Sequence, residues 1–242
     1  MNRIKTLIHT HTDYSYDSNI SLRALAEFAE AEGFGCIAVT DHDTIEGAVR
    51  LQCMTSAKVI VGEEVTTREG HLLGLFLKEA VPPGMSVVET AGAIRDQGGL
   101  VLLPHPFVRV FGCGLGKLAW VLAHLFDAVE VNNAQNLRST PERRAHEYAD
   151  RLGMITFAGA DSHLASSIAP CYQIMHDFDG PEAFLESLRT AELKEGRHPM
   201  RYFAHIAKQV ALSMVSLPVP RDTQMNSSAR RSAVDYGMAV LK

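Results

Sequence analysis

The residues with the most chemistry to offer are two histidines two positions apart, His9 and His11, standing where an apolar run that begins at Ile4 ends. In a strand, residues i and i+2 face the same way, so both imidazoles would enter one space, as two ligands of one metal ion do. Ligand-type residues recur after further apolar or β-branched runs. Asp41-His42 follows Cys36 to Thr40, Glu63-Glu64 follows Lys58 to Gly62, His105 stands between two prolines after Leu100 to Leu103, and Asp161-Ser162-His163 follows Ile155 to Ala160. His71 opens another short apolar run, and Asp17 lies in the loop after the histidine pair. Taken singly, a histidine near a strand end is usually just hydrogen-bonded, and an aspartate there caps a helix or forms a turn. Independent caps would not all fall at the same topological place. The candidate metal ligands are His9, His11, Asp17, His42, Glu64, His71, His105, Asp161 and His163. Asp41 is set apart, as a residue able to orient a neighbouring imidazole.

Such ligands share a site only if the chain brings their strand ends together. Ile4 to His9 reads as a buried strand, and Ser21 N-caps an amphipathic helix to about Glu32 whose apolar face is Leu22, Leu25, Ala26 and Ala29. Further helices are expected from Asp43-Thr44 to about Met54, Ser86 to about Gln97, Leu118 to Phe126, Pro141 to Leu152 and Pro181 to Leu193. His71 to Phe76, Ala128 to Val131 and Cys171 to Met175 complete the strands. This alternation implies parallel strands with helices outside them, roughly seven strands in all. A barrel fits better than an open sheet, because it brings every strand's carboxyl end to one rim. The expected fold is α/β, a distorted (β/α)7 barrel. Residues 1–196 would form that domain, 197–216 a terminal helix, and 217–242, without periodicity, a mobile tail.

The chain has 242 residues, 46% of them hydrophobic, enough to bury a sizeable core. A net charge of -5 with no basic block argues against a grip on duplex nucleic acid. Cys36, Cys53, Cys113 and Cys171 lie far apart without CxxC spacing, so buried free thiols are expected. With no signal-like or membrane-spanning apolar stretch, a cytoplasmic location is expected, with no membrane contact. The oligomeric state stays open.

Taken together, His9-Thr10-His11 with Asp17, Thr40-Asp41-His42, Gly62-Glu63-Glu64, His71-Leu72-Leu73-Gly74, Pro104-His105-Pro106 and Asp161-Ser162-His163 resemble the motifs of the PHP family, in the family's order. That family is named for polymerase and histidinol phosphatase, and the resemblance is to its stand-alone phosphoesterases. It implies a distorted seven-stranded barrel holding two or three divalent ions, Mn, Zn or Fe. One ion would sit among His9, His11, Glu64 and Asp161, and Glu64 would bridge to a second held with His71 and His105. A third would lie with Asp17, His42 and His163. Glu64 rather than Glu63 matches the family's bridging acid, and strand parity agrees, since Ile60, Gly62 and Glu64 share one face and the small Gly62 would leave room beneath a metal.

Dications in excess of carboxylates favour an anionic oxygen ligand, so phosphate esters are the expected substrates. These would be a nucleotide, another small phosphomonoester, or a short single-stranded oligonucleotide, attacked in line by a metal-bridging hydroxide. His42 or His163 could protonate the leaving group besides binding metal. Arg109 and Arg138 follow strands near the expected rim and are candidates to clamp a phosphate. The loop Gly112-Cys113-Gly114-Leu115-Gly116 lacks the P-loop lysine-serine pair and reads as a plain loop. Two competing readings are an amidohydrolase-type metal enzyme, whose barrels also place HxH after the first strand, and a non-catalytic metal-binding module.

Overall fold

The apolar runs become nine strands and the amphipathic stretches six helices in the computed structural model, which describes residues 2–108 and 112–204. In chain order these are β1 (Arg3–Thr10), α1 (Leu22–Glu32), β2 (Phe34–Val39), α2 (Glu46–Leu51), β3 (Lys58–Thr66), β4 (His71–Leu75), α3 (Val87–Asp96) and β5 (Leu100–Leu103). They continue as α4 (Leu118–Val121), β6 (Ala128–Asn133), α5 (Ser139–Leu152), β7 (Ile155–Gly159), β8 (Tyr172–His176), α6 (Gly180–Arg189) and β9 (Glu192–Lys194). The strands form one sheet in the order β7-β6-β5-β4-β3-β2-β1-β8-β9.

The sheet curls into a nearly closed barrel because β1 serves two neighbours on one side. Its first half, Arg3 to Thr6, pairs antiparallel with β8. Its second half meets the end of β7: Ala160 N donates to Ile8 O at 3.0 Å, Asp161 N to His9 O at 2.6 Å, and His11 N to Ser162 O at 3.1 Å. Below that junction the Gln173 side chain spans the gap, accepting from Ala158 N at 2.6 Å and donating to Thr6 O at 3.3 Å. Backbone groups that would be unpaired at the seam are thereby satisfied.

The barrel class matches the expectation, whereas the strand count and direction do not. β4 runs antiparallel to both β3 and β5, and β8 and β9 are antiparallel additions beside β1. A parallel pair needs a crossover of about a dozen residues or more. Between β3 and β4 the chain has only a tight turn, in which Gly70 N donates to Thr67 Oγ1 at 3.1 Å and Thr67 N to Gly70 O at 2.8 Å, so β4 must return alongside β3. β7 and β8 are likewise joined by irregular chain without a helix. Three helices are shorter than expected: α2 begins only at Glu46, the expected fourth splits into α4 and a 3-10 turn at Ala123–Leu125, and α6 stops before β9.

Local signals that were unambiguous are realised as expected. Ser21 Oγ accepts from Ala24 N, Gly33 ends α1 in the left-handed conformation, and Ser86 and Glu89 form a capping box on α3. Strand alternation sorts the core. Ile8, Ala38, Ile60, Leu73, Leu102 and Phe157 pack into one cluster beneath the strand ends, joined by Phe184 and Leu188 of α6. Leu7, Ile37 and Val39 instead pack outward against Leu22, Leu25 and Ala29 of α1. Of the cysteines, Cys36 and Cys171 are buried, Cys113 is half-buried and Cys53 is exposed, so burial holds for two of the four.

The described residues up to 198 form one compact unit, and residues from 199 onward belong to a second, of which the structure describes 199–204. Of the second, 200–204 are helical. The rest of the expected 197–216 helix and the 217–242 tail lie outside the described residues. Among the described residues, no helix is long and apolar enough to cross a membrane.

Candidate metal centre

All nine candidate ligands converge at one end of the barrel. A plain pleat does not aim the first pair. Pairing of β1 with β2 breaks register between Leu7 and Thr10, and His9 adopts a left-handed backbone with φ 64°. His105 and Asp161 also have positive φ, 27° and 46°. L-residues there cost about 1–2 kcal/mol each and persist where surrounding bonds over-determine them. Here those bonds are Asp161 N to His9 O at 2.6 Å and His105 N to Glu130 Oε2 at 2.6 Å.

Glu64 is the hub. Its Oε1 lies 2.8 Å from His71 Nδ1 and 2.9 Å from His105 Nε2. Its Oε2 lies 3.2 Å from both His9 Nε2 and His11 Nε2, and 3.6 Å from His42 Nδ1. Asp17 Oδ2 faces His42 Nε2 at 3.4 Å and His163 Nε2 at 3.2 Å. Asp161 Oδ1 is 3.6 Å from His9 Nε2 and from His11 Nε2, and 3.5 Å from His163 Nδ1. The ligand atoms fall into four overlapping groups, each within 4.8 Å: His11, Asp17, His42 and His163; His9, His11 and Asp161; His9, Glu64 and His105; His42, Glu64 and His71. His71 reaches this rim because β4 is antiparallel. It is the first residue of its strand, opposite Thr66 near the end of β3.

Gly62 does not serve as space beneath a metal. A Cβ there would come within 2.8 Å of Leu75 Cδ2 and 2.9 Å of the carbonyl oxygens of Gly74 and Val39, so its smallness admits neighbouring strands.

Sequence reasoning missed the residues that hold the ligands. Buried Glu130 on β6 accepts from His9 Nδ1 at 2.8 Å, from His105 N and from Asn133 Nδ2 at 2.9 Å. Asn133 Nδ2 also donates to Asp161 Oδ2 at 3.0 Å. The carboxylate of Glu130 lies over Gly159, where a Cβ would sit 1.5 Å from its Oε1. Asp41, set apart in the sequence as able to orient an imidazole, reaches that of His11 through Ser15. It accepts from Thr12 N at 2.5 Å, Thr12 Oγ1 at 2.7 Å and Ser15 Oγ at 3.0 Å, while Ser15 Oγ lies 3.0 Å from His11 Nδ1. Gln135 Nε2 donates to Asp161 O at 2.9 Å and lies 3.0 Å from His163 Nδ1. His198, to which the sequence assigned no role, donates from Nε2 to Ala160 O at 2.9 Å, beside Asp161. An acid inside the apolar run Ala128 to Val131 was the available signal for Glu130, because central strands of such barrels are buried on both faces.

Charge at the site is balanced by protons when no cation is bound. Burial, with repulsion from His163 and His42, pushes His11 down to about 3, so its ring is neutral. Burial opposes a charge on His42 as well, yet Asp17 and Glu64 hold its pKa up at about 10. Burial likewise opposes charge on Glu64 and Asp17, but the imidazoles beside each keep both carboxyls well below the ordinary range. Burial alone raises Asp41 to about 6 against the donors of Thr12 and Ser15.

Arg109 lies outside the described residues. Arg138 is exposed at the N-cap of α5 and, among the described residues, falls in none of the ligand groups. In the glycine-rich loop, Cys113 O accepts from His71 N at 2.9 Å and Gly116 N donates to Pro106 O at 2.8 Å. The loop therefore braces the rim, as a plain loop would.

The PHP domain family model matches residues 8–79, and a PHP-associated model matches residues 140–193. The uncharacterized protein MJ1587 of Methanocaldococcus jannaschii is 37% identical over 144 residues, which cover 54% of this chain and 82% of that protein. Among solved structures, a two-domain protein containing a predicted PHP-like metal-dependent phosphoesterase from Bacteroides vulgatus aligns with a TM-score of 0.64 at 15% identity, over 81% of this chain and 65% of that one. A lesion-specific endonuclease from Pyrococcus furiosus aligns with a TM-score of 0.61 at 13% identity, over 79% of this chain and 58% of that one. The chain thus spans under two thirds of the length of both structures, and what it shares with them is the fold.

Proposed function

The chain belongs to the PHP family, and from that premise we propose that it hydrolyses phosphate esters with divalent ions held by the nine clustered residues. One ion is assigned to His9, His11, Glu64 and Asp161, a second to Glu64, His71 and His105, and a third to Asp17, His42 and His163. The observation that carries this reading is the convergence of nine ligand residues into four overlapping groups, two of which contain Glu64. The donor set fits a cation chemically. Among the described residues, His11 Nε2, His42 Nδ1 and Asp17 Oδ1 are buried without a hydrogen bond, the first two within 3.6 Å of Glu64 Oε2. Buried polar atoms without partners are costly, and a shared cation would satisfy them.

Ions bound there would polarise phosphoryl oxygens and activate water near neutral pH for in-line attack on phosphorus. The chain's own residues prepare that. Glu130 keeps a proton on His9 Nδ1, and Ser15, held by Asp41, does the same for His11, so each Nε2 lone pair faces the cluster. Asn133 fixes one oxygen of Asp161 and leaves Oδ1 facing His9 and His11. His42 and His163 both point Nε2 at Asp17, which supports binding as their first role and leaving-group protonation as a second. A positive balance of dications over carboxylates selects an anionic substrate, a small phosphorylated molecule or a short single-stranded oligonucleotide. Manganese, zinc and iron all suit such a histidine and carboxylate set.

The test is metal content together with turnover of a panel of phosphate esters, amides and lactones, with and without chelator. Chelator-sensitive turnover of phosphate esters, lost with bound metal in His9→Ala and Asp161→Ala, is expected. Unchanged turnover in both variants would sink the proposal, and turnover of amides or lactones alone would move the chain to the amidohydrolase reading.

A further inference from the structure

His198 follows β9, belongs to none of the ligand groups and is buried at the rim. Its backbone N donates to Ala134 O at 3.0 Å, its ring Nε2 donates to Ala160 O at 2.9 Å, and Ser167 Oγ lies 2.8 Å from its Nδ1. A carbonyl oxygen can only accept, so Ala160 fixes the proton on Nε2 and Ser167 steadies the other side of the ring. One residue thereby joins the end of β6, where Asn133 and Gln135 hold Asp161, to the end of β7, from which Asp161 projects.

The bond to Ala160 O matters because of the residue that comes next. The peptide group between Ala160 and Asp161 is planar, and its carbonyl and N–H point to opposite edges of the plane. Its N–H donates to His9 O at 2.6 Å and its carbonyl accepts from His198, so the plane is held at both edges. The first bond alone would leave the plane free to rock about the N–H···O axis. Asp161 leaves that plane with a φ of 46°, a left-handed backbone that an L-residue keeps only where its surroundings impose it. The tilt of the plane and this angle together decide where the carboxylate goes. Oδ1 arrives 3.6 Å from both His9 Nε2 and His11 Nε2, while Asn133 Nδ2 holds Oδ2 at 3.0 Å. A side chain that only filled space between loops would need no donor at this carbonyl. The segment also has a separate anchor in Arg197, which pairs with Glu142 at 2.6 Å.

We propose that His198 is a positioning residue of the metal centre: through the Ala160 carbonyl it sets the direction of the Asp161 carboxylate, and so the affinity for the ion assigned to His9, His11, Glu64 and Asp161. This rests on that assignment and adds to it a residue outside the ligand set.

Manganese binding to the full chain, measured by calorimetry with folding checked by circular dichroism, tests this without turnover. In His198→Leu, which keeps bulk but has no donor, one manganese equivalent is expected to weaken about 10- to 100-fold, and it should be the equivalent lost in Asp161→Ala. His198→Gln places an amide N–H where Nε2 stands and is expected to bring affinity back to within about threefold of the wild type. Arg197→Met, which loosens the same segment and leaves the imidazole in place, is expected to bind as the wild type does. Unchanged affinity in His198→Leu overturns the proposal, as does weakening of equivalents that Asp161→Ala leaves intact. Equal weakening in His198→Leu and His198→Gln, or in His198→Leu and Arg197→Met, also overturns it, because the anchoring of the segment and not the bond to Ala160 would then be responsible. Should His198→Leu not fold, His198→Gln decides: wild-type affinity in the folded variant supports the role, and affinity lowered about 10-fold or more overturns it. Manganese binding with the expected pattern but no turnover of any phosphate ester would leave His198 in its role and remove the phosphoesterase reading. No manganese bound by the wild type would remove both.

Discussion

At the scale of single residues, the site depends on side chains that do not themselves face the centre. Glu130 holds His9 through its ring and His105 through its backbone, so one carboxylate sets two ligands of the same group. In Glu130→Gln the amide NH2 would have to oppose either the His9 Nδ1 proton or the His105 N–H. Metal affinity is expected to fall about 10- to 100-fold with the fold retained, as read by metal titration alongside circular dichroism. Asp17 acts differently, since among the described residues its ion pairs are with His42 and His163, and its ligand group, which adds His11, does not contain Glu64. Asp17→Asn is expected to lose one metal equivalent while the ions around Glu64 remain. Loss of all metal would show instead that the three groups load as one.

At the scale of elements, the barrel is held shut by a side chain where the backbone cannot do it. Gln173 bridges Ala158 N on β7 and Thr6 O on β1. Gln173→Ala would leave both groups buried and unpaired, each costing about 1–3 kcal/mol. A drop of that order in unfolding free energy, measured by urea denaturation, is expected, and an unchanged midpoint would mean that water takes over both groups. The sequence displayed most of the elements because the helices carry caps and amphipathic faces and the strands are continuous apolar runs. Direction was not displayed. His71 was recognisable as a ligand, but a strand entered from the rim and one ending at the rim look alike in a short apolar run such as His71 to Leu75. β9 was hidden for a related reason, since three residues with two charges have no period to detect. At the site, the ligands were legible because histidine and aspartate at apolar-run ends are conspicuous. Glu130, Asn133 and Ser15 were not, because their task is defined by distances between strands that only the folded chain contains.

At the scale of the whole molecule, protons and cations compete for the same nitrogens. The pKa of His42 is held up at about 10, so at neutral pH its ring carries a proton that a cation must displace. Apparent metal affinity is therefore expected to rise with pH, by about tenfold per unit for each proton displaced, up to the region of pH 10. Proton release into weakly buffered solution during metal titration checks the sign; proton uptake would contradict it. The linked effect on stability runs the same way. A raised imidazole pKa stabilises the cation-free fold below about pH 6.5, and that contribution is lost as pH rises towards 10. Chelation is thus expected to lower the melting temperature more at alkaline than at mildly acidic pH.

The sheet that curls around this site leaves β9 as its outer strand. Bare strand edges invite other chains to add to them, and proteins discourage this by keeping such edges short and charged. β9 is three residues long, and its Glu192 and Lys194 pair with each other across Leu193. Among the described residues, the barrel therefore offers little template for edge-to-edge growth on that side. The same ending that hid β9 from periodicity gives the sheet a blunt margin against self-association.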